Sequence, residues 1–306
     1  MTIPVKKSNS HLLQTPEMKY QVISEQRGTH GVEKMAEVLG VARSGYYSWS
    51  EGGQSARAVE EKELVEQIQH IQGEVSHRYG SPRMREELLR GGRHVGKKRV
   101  ARIMRENALG ARQKRRFVLT TRSEKGQEVA ENLLDRNFEV PAANRVWVSD
   151  ITYVATVEGW MYLCTVLDLY SRRVVGWSLS SFVDTELVMA AVAMAVIRRR
   201  PPKGLMFHSD RGVQYTSGQF QAIAKGYGFI QSMSRRGDCW DNACAETFFK
   251  TLRAELIRGK IYRSREEARE EIFKYVEVFY NRKRLHSYLG YLIPTEYEEL
   301  EERRTA

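Results

Sequence analysis

The apolar positions of this chain change period near residue 145, from a spacing of three and four to near-alternation. That change divides it into a helical part and a mixed part. In the first, Met35, Val38 and Leu39 mark one helix, Gly40 punctuates it, and a second helix starts near Arg43 or Ser44. A helix, a glycine turn and a helix form the outline of a helix-turn-helix. Tyr46, Tyr47 and Trp49 read as packing for that unit. Leu64, Ile68 and Ile71 share a face of a helix over 58–72, and Ser81 and Pro82 are an N-cap and first helical position for the next. Gly91 and Gly92 break it, and Val100, Ile103 and Met104 form the apolar face of another helix, with Lys98, Arg102 and Arg105 projecting together. This is a second helix-turn-helix candidate, and the basic one.

Beyond the change, 145–156, 161–171 and 172–180 read as three antiparallel strands. A helix over 184–199 with Asp184 as N-cap follows, then a strand over 204–210, a helix over 216–228 and a strand over 229–234. The next helix lies in "RRGDCWDNACAETFFKTLRAEL", residues 235–256, with Phe248, Phe249, Leu252 and Leu256 on its apolar face. Ser264 and Glu267 form a capping box for the last amphipathic segment. The layout is α/β. The expected divisions are a disordered tail (1–17), a helix-turn-helix-like domain (18–55), a basic helix-turn-helix domain (58–118), a linker (119–143), a core (144–260) and a helical extension with tail (261–306).

Composition narrows the partners. The chain has 306 residues, 42% hydrophobic and 28% charged, a globular balance. No run of about 18 apolar residues predicts a membrane span. The first residues lack the apolar middle of a secretory signal, and three cysteines argue for a reducing cytoplasm rather than a disulfide framework. Net charge is +11, and residues 83–116 hold thirteen Lys or Arg against three Glu. Residues 260–304, by contrast, balance ten against ten. One-sided charge points to a polyanion, with nucleic acid ahead of an acidic membrane surface.

Three carboxylates carry the candidate chemistry. Asp150 sits mid-strand in "VSDITY", Asp210 ends a strand in "HSDRG", and Glu246 follows on the later helix with 35 residues between. If the first and fourth strands are neighbours, the two aspartates stand side by side and the helix delivers the glutamate. An unpartnered carboxylate among Trp147, Val148, Ile151 and Tyr153 would be expensive unless a cation resolved it. Magnesium suits such a set, because it takes hard oxygen ligands and needs few of them from protein. A solvated helix face with an ordinary Glu246–Lys250 pair is the plain alternative. Asp168, Asp238 and Asp241 compete by spacing alone; Asp168 reads as a turn residue beside the site and Asp241 as a helix cap.

The blocks "WVSDITYV", "LDLYSRRVVGWS", "HSDRGVQYTS", "DCWDNACAETFFKTLRAEL" and "YNRKRLHSYLGYLIPTEY" run in order through 145–297. In them the chain resembles the DDE transposases of bacterial insertion sequences, in the branch related to retroviral integrases. Specifically, it resembles the second-frame product of a two-frame element. The resemblance implies an RNase H-like integrase core, a mixed five-stranded sheet with flanking helices, preceded by helical DNA-binding domains. It implies that Asp150, Asp210 and Glu246 are the catalytic metal ligands, for Mg2+ with Mn2+ as a substitute. Arg253, Lys250, Asn242, Gln214 and Tyr215 are expected at the DNA or just behind the site, and Lys97, Lys98, Arg102 and Arg105 on the basic helix. The implied reaction cleaves the element's ends to 3′ hydroxyls and joins them to target DNA. The implied partners are double-stranded DNA (terminal repeats and target), further copies of the chain, and an upstream-frame protein; no sustained heptads occur here. Asn281, Arg284 and His286 match the family's C-terminal signature without revealing a role.

Three other readings make different predictions. A tyrosine recombinase would use Arg284, His286 and Tyr288 and dispense with Glu246. A catalytically inactive DNA-binding regulator would bind DNA without regard to magnesium. A structure-specific nuclease on the same fold would need no particular ends.

Overall fold

The computed structural model describes residues 15–51, 56–111, 130–235 and 238–305. The expected tail lies outside them as far as residue 14, and so does the expected linker as far as residue 129. The chain splits into two compact units: one runs to Ser76 and resumes over Glu87–Gly110, the other joins His77–Glu86 to the chain from Ala111 onward.

The helical unit contains α1 (Pro16–Gln26), α2 (Val32–Leu39), α3 (Arg43–Ser50), α4 (Ala56–Glu74) and α6 (Lys97–Glu106); α5 (Ser81–Arg90) begins in the sheet unit and ends here. Thr15 caps α1, its hydroxyl accepting the Met18 N–H. Gly40 ends α2 at φ +63°, a conformation that costs glycine little. Ile23, Met35, Ala36 and Tyr46 form the core of the first three helices. Val38, expected inside, points to solvent, and Tyr47 is also exposed. Gly45 admits the Tyr20 hydroxyl: a Cβ there would lie 2.2 Å from it. Leu64 and Ile68 of α4 and Val100, Ile103 and Met104 of α6 are buried, as their periodicity requires.

The sheet unit is built on five strands in the order β3-β2-β1-β4-β5: β1 (Val146–Thr156), β2 (Gly159–Asp168), β3 (Val174–Ser180), β4 (Met206–Ser209) and β5 (Ile230–Met233). The first three are antiparallel, and β4 and β5 run parallel to β1. The crossover between β3 and β4 is α7 (Thr185–Arg199), whose Asp184 cap accepts the Leu187 N–H at 2.9 Å. The helix expected over 216–228 is two, α8 (Val213–Thr216) and α9 (Gly218–Tyr227), divided at Ser217, which caps the second. On one face Trp147, Cys164, Val166 and Val175 pack with Leu187, Val188, Ala191 and Val192 of α7 and Phe220 of α9. Gly176 makes that packing possible, since a Cβ there would meet the Ala191 carbonyl at 2.2 Å.

The long amphipathic segments follow: α10 (Ala243–Leu252), which packs on β1, α11 (Arg265–Phe273) and α12 (Pro294–Thr305). Helical turns of wider pitch extend α10 through Arg253–Ile257 and α11 through Lys274–Tyr280. Ser264 caps α11 as expected, accepting the Glu267 N–H, but the Glu267 carboxylate reaches past Ser264 to the Arg263 N–H at 2.6 Å. Among the described residues no helix is long and apolar enough to cross a membrane.

Candidate active site

Strand register brings two of the three carboxylates together. Val148 on β1 pairs with His208 on β4. Asp150 and Asp210 each lie two residues further along parallel chains, so the period-two alternation of strands puts them on the same face. Each makes a local contact: Asp150 Oδ1 accepts the Ile151 N–H at 2.8 Å, and Asp210 Oδ1 accepts the Gly212 N–H at 3.0 Å. Gly212 matters because a Cβ there would press on Asp210 Oδ1 at 3.0 Å. Burial first, then the charge of Asp210 and, more weakly, of Glu246, push the Asp150 carboxyl up to about 8, against the opposing pull of the Ile151 N–H and Arg253. Burial also raises Asp210. Among the described residues neither aspartate makes an ion pair.

The third carboxylate is delivered by a docked helix start. Asp238 caps the turn Cys239–Asn242 by accepting the Trp240 N–H. Asp241 is wholly buried between Arg235 (2.8 Å) and Arg136 (3.0 Å), which hold its carboxyl well below the usual range. Asp241 is therefore an anchor, not the helix cap expected of it. Asn242 then donates from Nδ2 to the Ser149 carbonyl at 3.1 Å, tying the start of α10 to the residue before Asp150. One turn on, Glu246 is half-buried and pairs with exposed Lys250 at 3.0 Å. Arg253 Nη2 donates to Thr152 Oγ1 at 2.6 Å, and its guanidinium lies 5.9 Å from the Tyr153 ring centre.

Two residues expected at the DNA or just behind the site lie beneath the surface. Tyr215 is buried in the core, its hydroxyl sharing a hydrogen bond with Ser149 Oγ at 2.8 Å. Asn242 is buried as well, by the tie just described. Polar atoms on helices look solvent-facing in sequence; here each is spent on β1. Gln214 is half-buried and donates to the Val183 carbonyl. His208 supports the floor between Ser232 (2.9 Å) and Ser234 (3.1 Å), and burial lowers it to about 4, so it is neutral at pH 7. Neither His208 nor Gly212 carried a signal separable from the motif around Asp210.

Asp168 is not beside the site. It pairs with Trp147, three residues from Asp150, so its side chain leaves the other face of the sheet. There it accepts the N–H groups of Asn144 (2.8 Å) and Tyr170 (3.0 Å) near Arg199. The C-terminal signature acquires a role as scaffold. Asn281 bonds both backbone groups of Val174, completing β3. Arg284 is buried on Glu255 at 2.8 Å, with Tyr275 donating to the same carboxylate. His286 is buried too, so Arg284 and His286 are not available for recombinase chemistry.

On α6, Lys97, Lys98 and Arg105 are exposed. Arg102, unlike them, pairs with Glu61 (2.7 Å) and Glu106 (2.6 Å). Arg99 likewise pairs with Glu60. The acids of α4 thus neutralise part of a face that looks wholly basic in a local count.

The integrase core domain family matches residues 140–239, which contain Asp150 and Asp210, and a second integrase core domain family matches 246–301, beginning at Glu246. An HTH-like domain family matches 59–117. The transposase InsF of insertion sequence IS3A from Escherichia coli (strain K12) is 39% identical over 92% of this chain and 98% of its own length. The chain belongs to the IS3 family of insertion-sequence transposases. An uncharacterized 31 kDa protein of insertion element IS600 from Shigella sonnei is 41% identical to this family member, over 87% of this chain and 97% of its own. Among solved structures, the catalytic core domain of BIV integrase aligns with 53% of the chain and 99% of its own at 16% identity, with a TM-score of 0.39. The five-stranded mixed sheet with flanking helices is the integrase core of this transposase-family chain, and α4–α6 form its HTH-like domain.

Proposed function

We propose that the chain is a DNA transposase that cleaves the ends of its own insertion sequence to 3′ hydroxyls and transfers them to target phosphodiesters. Asp150, Asp210 and Glu246 are its catalytic carboxylates. The observation that supports this reading most is that Asp150 stands against Asp210 with no ion pair among the described residues, burial first and the second acid's charge next raising its carboxyl to about 8. Two acids held together at that cost make sense where a cation joins them.

The donor set fits magnesium. The ligands are carboxylate oxygens, hard and few. Among the described residues no three acidic, histidine or cysteine side chains stand close enough together to hold a metal ion. Glu246, turned to Lys250, is the member that would change partners. When bound, the metal supplies Lewis acidity at the phosphate and an acidified water. The chain's own share is positional. β1 and β4 hold the aspartates, the Asn242–Ser149 bond sets the helix beside them, and Lys250 and Arg253 offer positive charge to the scissile phosphate. Exposed Lys97, Lys98 and Arg105 track the DNA backbone, and further copies bring the two ends together. The upstream-frame protein is a partner for end recognition.

Nicking of labelled DNA carrying the element's own ends tests the assignment. Wild type nicks with magnesium and not without it, and Glu246→Gln does not nick. Equal nicking by the variant would remove Glu246 from the site.

A further inference from the structure

Val146–Val148 of β1 pair with Met206–His208 of β4, and the pairing stops there, two residues short of Asp150 and of Asp210. Beyond that point β1 stays bonded to β2, and Ser209 to Met233 of β5. Among the described residues no rung of the sheet joins the two aspartates, so another contact has to set their separation. Magnesium is exacting about that separation, because it demands near-ideal octahedral geometry with oxygens at about 2.0–2.1 Å.

A second connection crosses between the two strands from the far side of the sheet. Asp210 Oδ1 accepts the Gly212 N–H at 3.0 Å, the Gly212 carbonyl accepts the Tyr215 N–H at 3.0 Å, and the Tyr215 hydroxyl meets Ser149 Oγ at 2.8 Å. Ser149 precedes Asp150, so its side chain leaves the opposite face of β1, the face of Trp147 that α7 covers. Three short links thus lead from one carboxylate to the residue beside the other. Cys164 Sγ closes the hydroxyl pair, 3.6 Å from Ser149 Oγ and 3.8 Å from the Tyr215 oxygen. Ser149 and Tyr215 are both fully buried, and the Phe207 and Phe220 rings hold the Tyr215 ring with centres 6.4 and 5.7 Å away. The Ser149 carbonyl also takes Asn242, so the elements bearing all three carboxylates meet at this one residue.

Stability does not account for the hydroxyl pair, since an apolar pair of the same shape would be nearly neutral there. A satisfied buried polar pair instead rigidifies its surroundings and specifies one arrangement of them. We propose that Tyr215 and Ser149 are positioning residues: their hydroxyl bond fixes the separation of Asp150 and Asp210 and so selects magnesium over calcium, which is larger and accepts flexible coordination. This rests on the transposase reading, with the two aspartates as metal ligands.

Metal affinity of the full chain tests it, read at pH 8 without DNA from the rise in melting temperature with magnesium chloride alone or calcium chloride alone. Tyr215→Phe, which keeps the ring, is expected to weaken magnesium binding about tenfold, as loss of a group behind a metal ligand does. Calcium affinity is expected to change less than about twofold, because its coordination tolerates a looser pair. Ser149→Ala should act alike, and the double variant should be no worse than either, since each removes the same bond. Should Tyr215→Phe not fold, the contrast between the two metals in Ser149→Ala decides. Wild-type affinities in both variants, whatever their metal-free melts, would reduce the pair to packing and overturn the proposal. Equal losses for the two metals, or losses that add in the double variant, would also overturn it. Asp150→Asn separates the two readings. A magnesium response lost in Asp150→Asn but intact in Tyr215→Phe and Ser149→Ala removes the positioning role alone. A wild type with no response, or one that Asp150→Asn retains in full, removes the aspartates as ligands and both readings with them.

Discussion

Asp241 and Asp150 are two acids withdrawn from water in the same sheet unit, and their surroundings are opposite. Asp241 has no exposure, yet Arg235 and Arg136 lie within 3.0 Å of it and hold its proton affinity low. Asp150 retains some exposure but faces Asp210 and Glu246, and its proton affinity is high. Glu255 is closed in by buried Arg284, whereas Glu246 pairs with Lys250 in solvent. Burial alone therefore does not distinguish a working acid from a structural one. The sign of the neighbours adds to it: arginines pull Asp241 down, while Asp210 and Glu246 push Asp150 further up after burial has raised it.

The contrast is sharpest in catalysis. Glu246→Gln is expected to lower nicking by at least about 100-fold, since metal-assisted stabilisation of the transition state is worth several kcal/mol. Folding should be preserved, which a circular dichroism melt would establish. Asp241→Asn reverses the pattern. It is expected to cost about 2 kcal/mol, at the modest end for a buried charged hydrogen bond because both arginines can return to water. That corresponds to a fall of about 4–8 °C in melting temperature. An unchanged melt would break the comparison.

A smaller effect separates the two acids by pH. The folded-state value of Asp150, about 8, lies above that of the unfolded chain. The fold therefore binds more protons than the unfolded state between about pH 4 and 8, and this group's contribution falls as pH rises through that window. Without metal, melting temperature should drop from pH 5 to 8 relative to Asp150→Asn, and magnesium at pH 8 should restore it. Absence of any difference between the two proteins would contradict the crowded pair.

The smallest effect lies in the helical unit, where the same rule applies with signs exchanged. Lys98→Ala is expected to reduce the slope of log affinity against log salt by about 0.9, the signature of one lost phosphate contact. Arg102→Ala, already answered by Glu61 and Glu106, is expected to leave the slope unchanged. Equal slopes for the two variants would show that ion pairing within the fold does not withdraw a cation from DNA.

Much of this arrangement was legible in the chain. The period change at residue 145, the Asp184 cap and the spacing of Asp150, Asp210 and Glu246 are short-range signals, and strand ends moved by only a few residues. Where expectation and structure part, the missing partner is remote in sequence. Ser149 lies 66 residues before Tyr215 and 93 before Asn242, and Glu61 lies 41 before Arg102. A local count of charge or polarity has no access to such pairs.

The sequence by itself determined the elements and the family, and singled out the three carboxylates proposed as catalytic, because backbone periodicity, capping and ordered motifs are encoded over a few residues at a time. Only the tertiary structure decided which acids are structural. Asp168, Asp241 and Glu255 are acids on the page like Asp150; packing places Arg199, Arg235 and Arg284 against them and leaves Asp150 with Asp210. The energy of a buried charge depends on what stands within a few ångströms, and that is settled when distant segments meet.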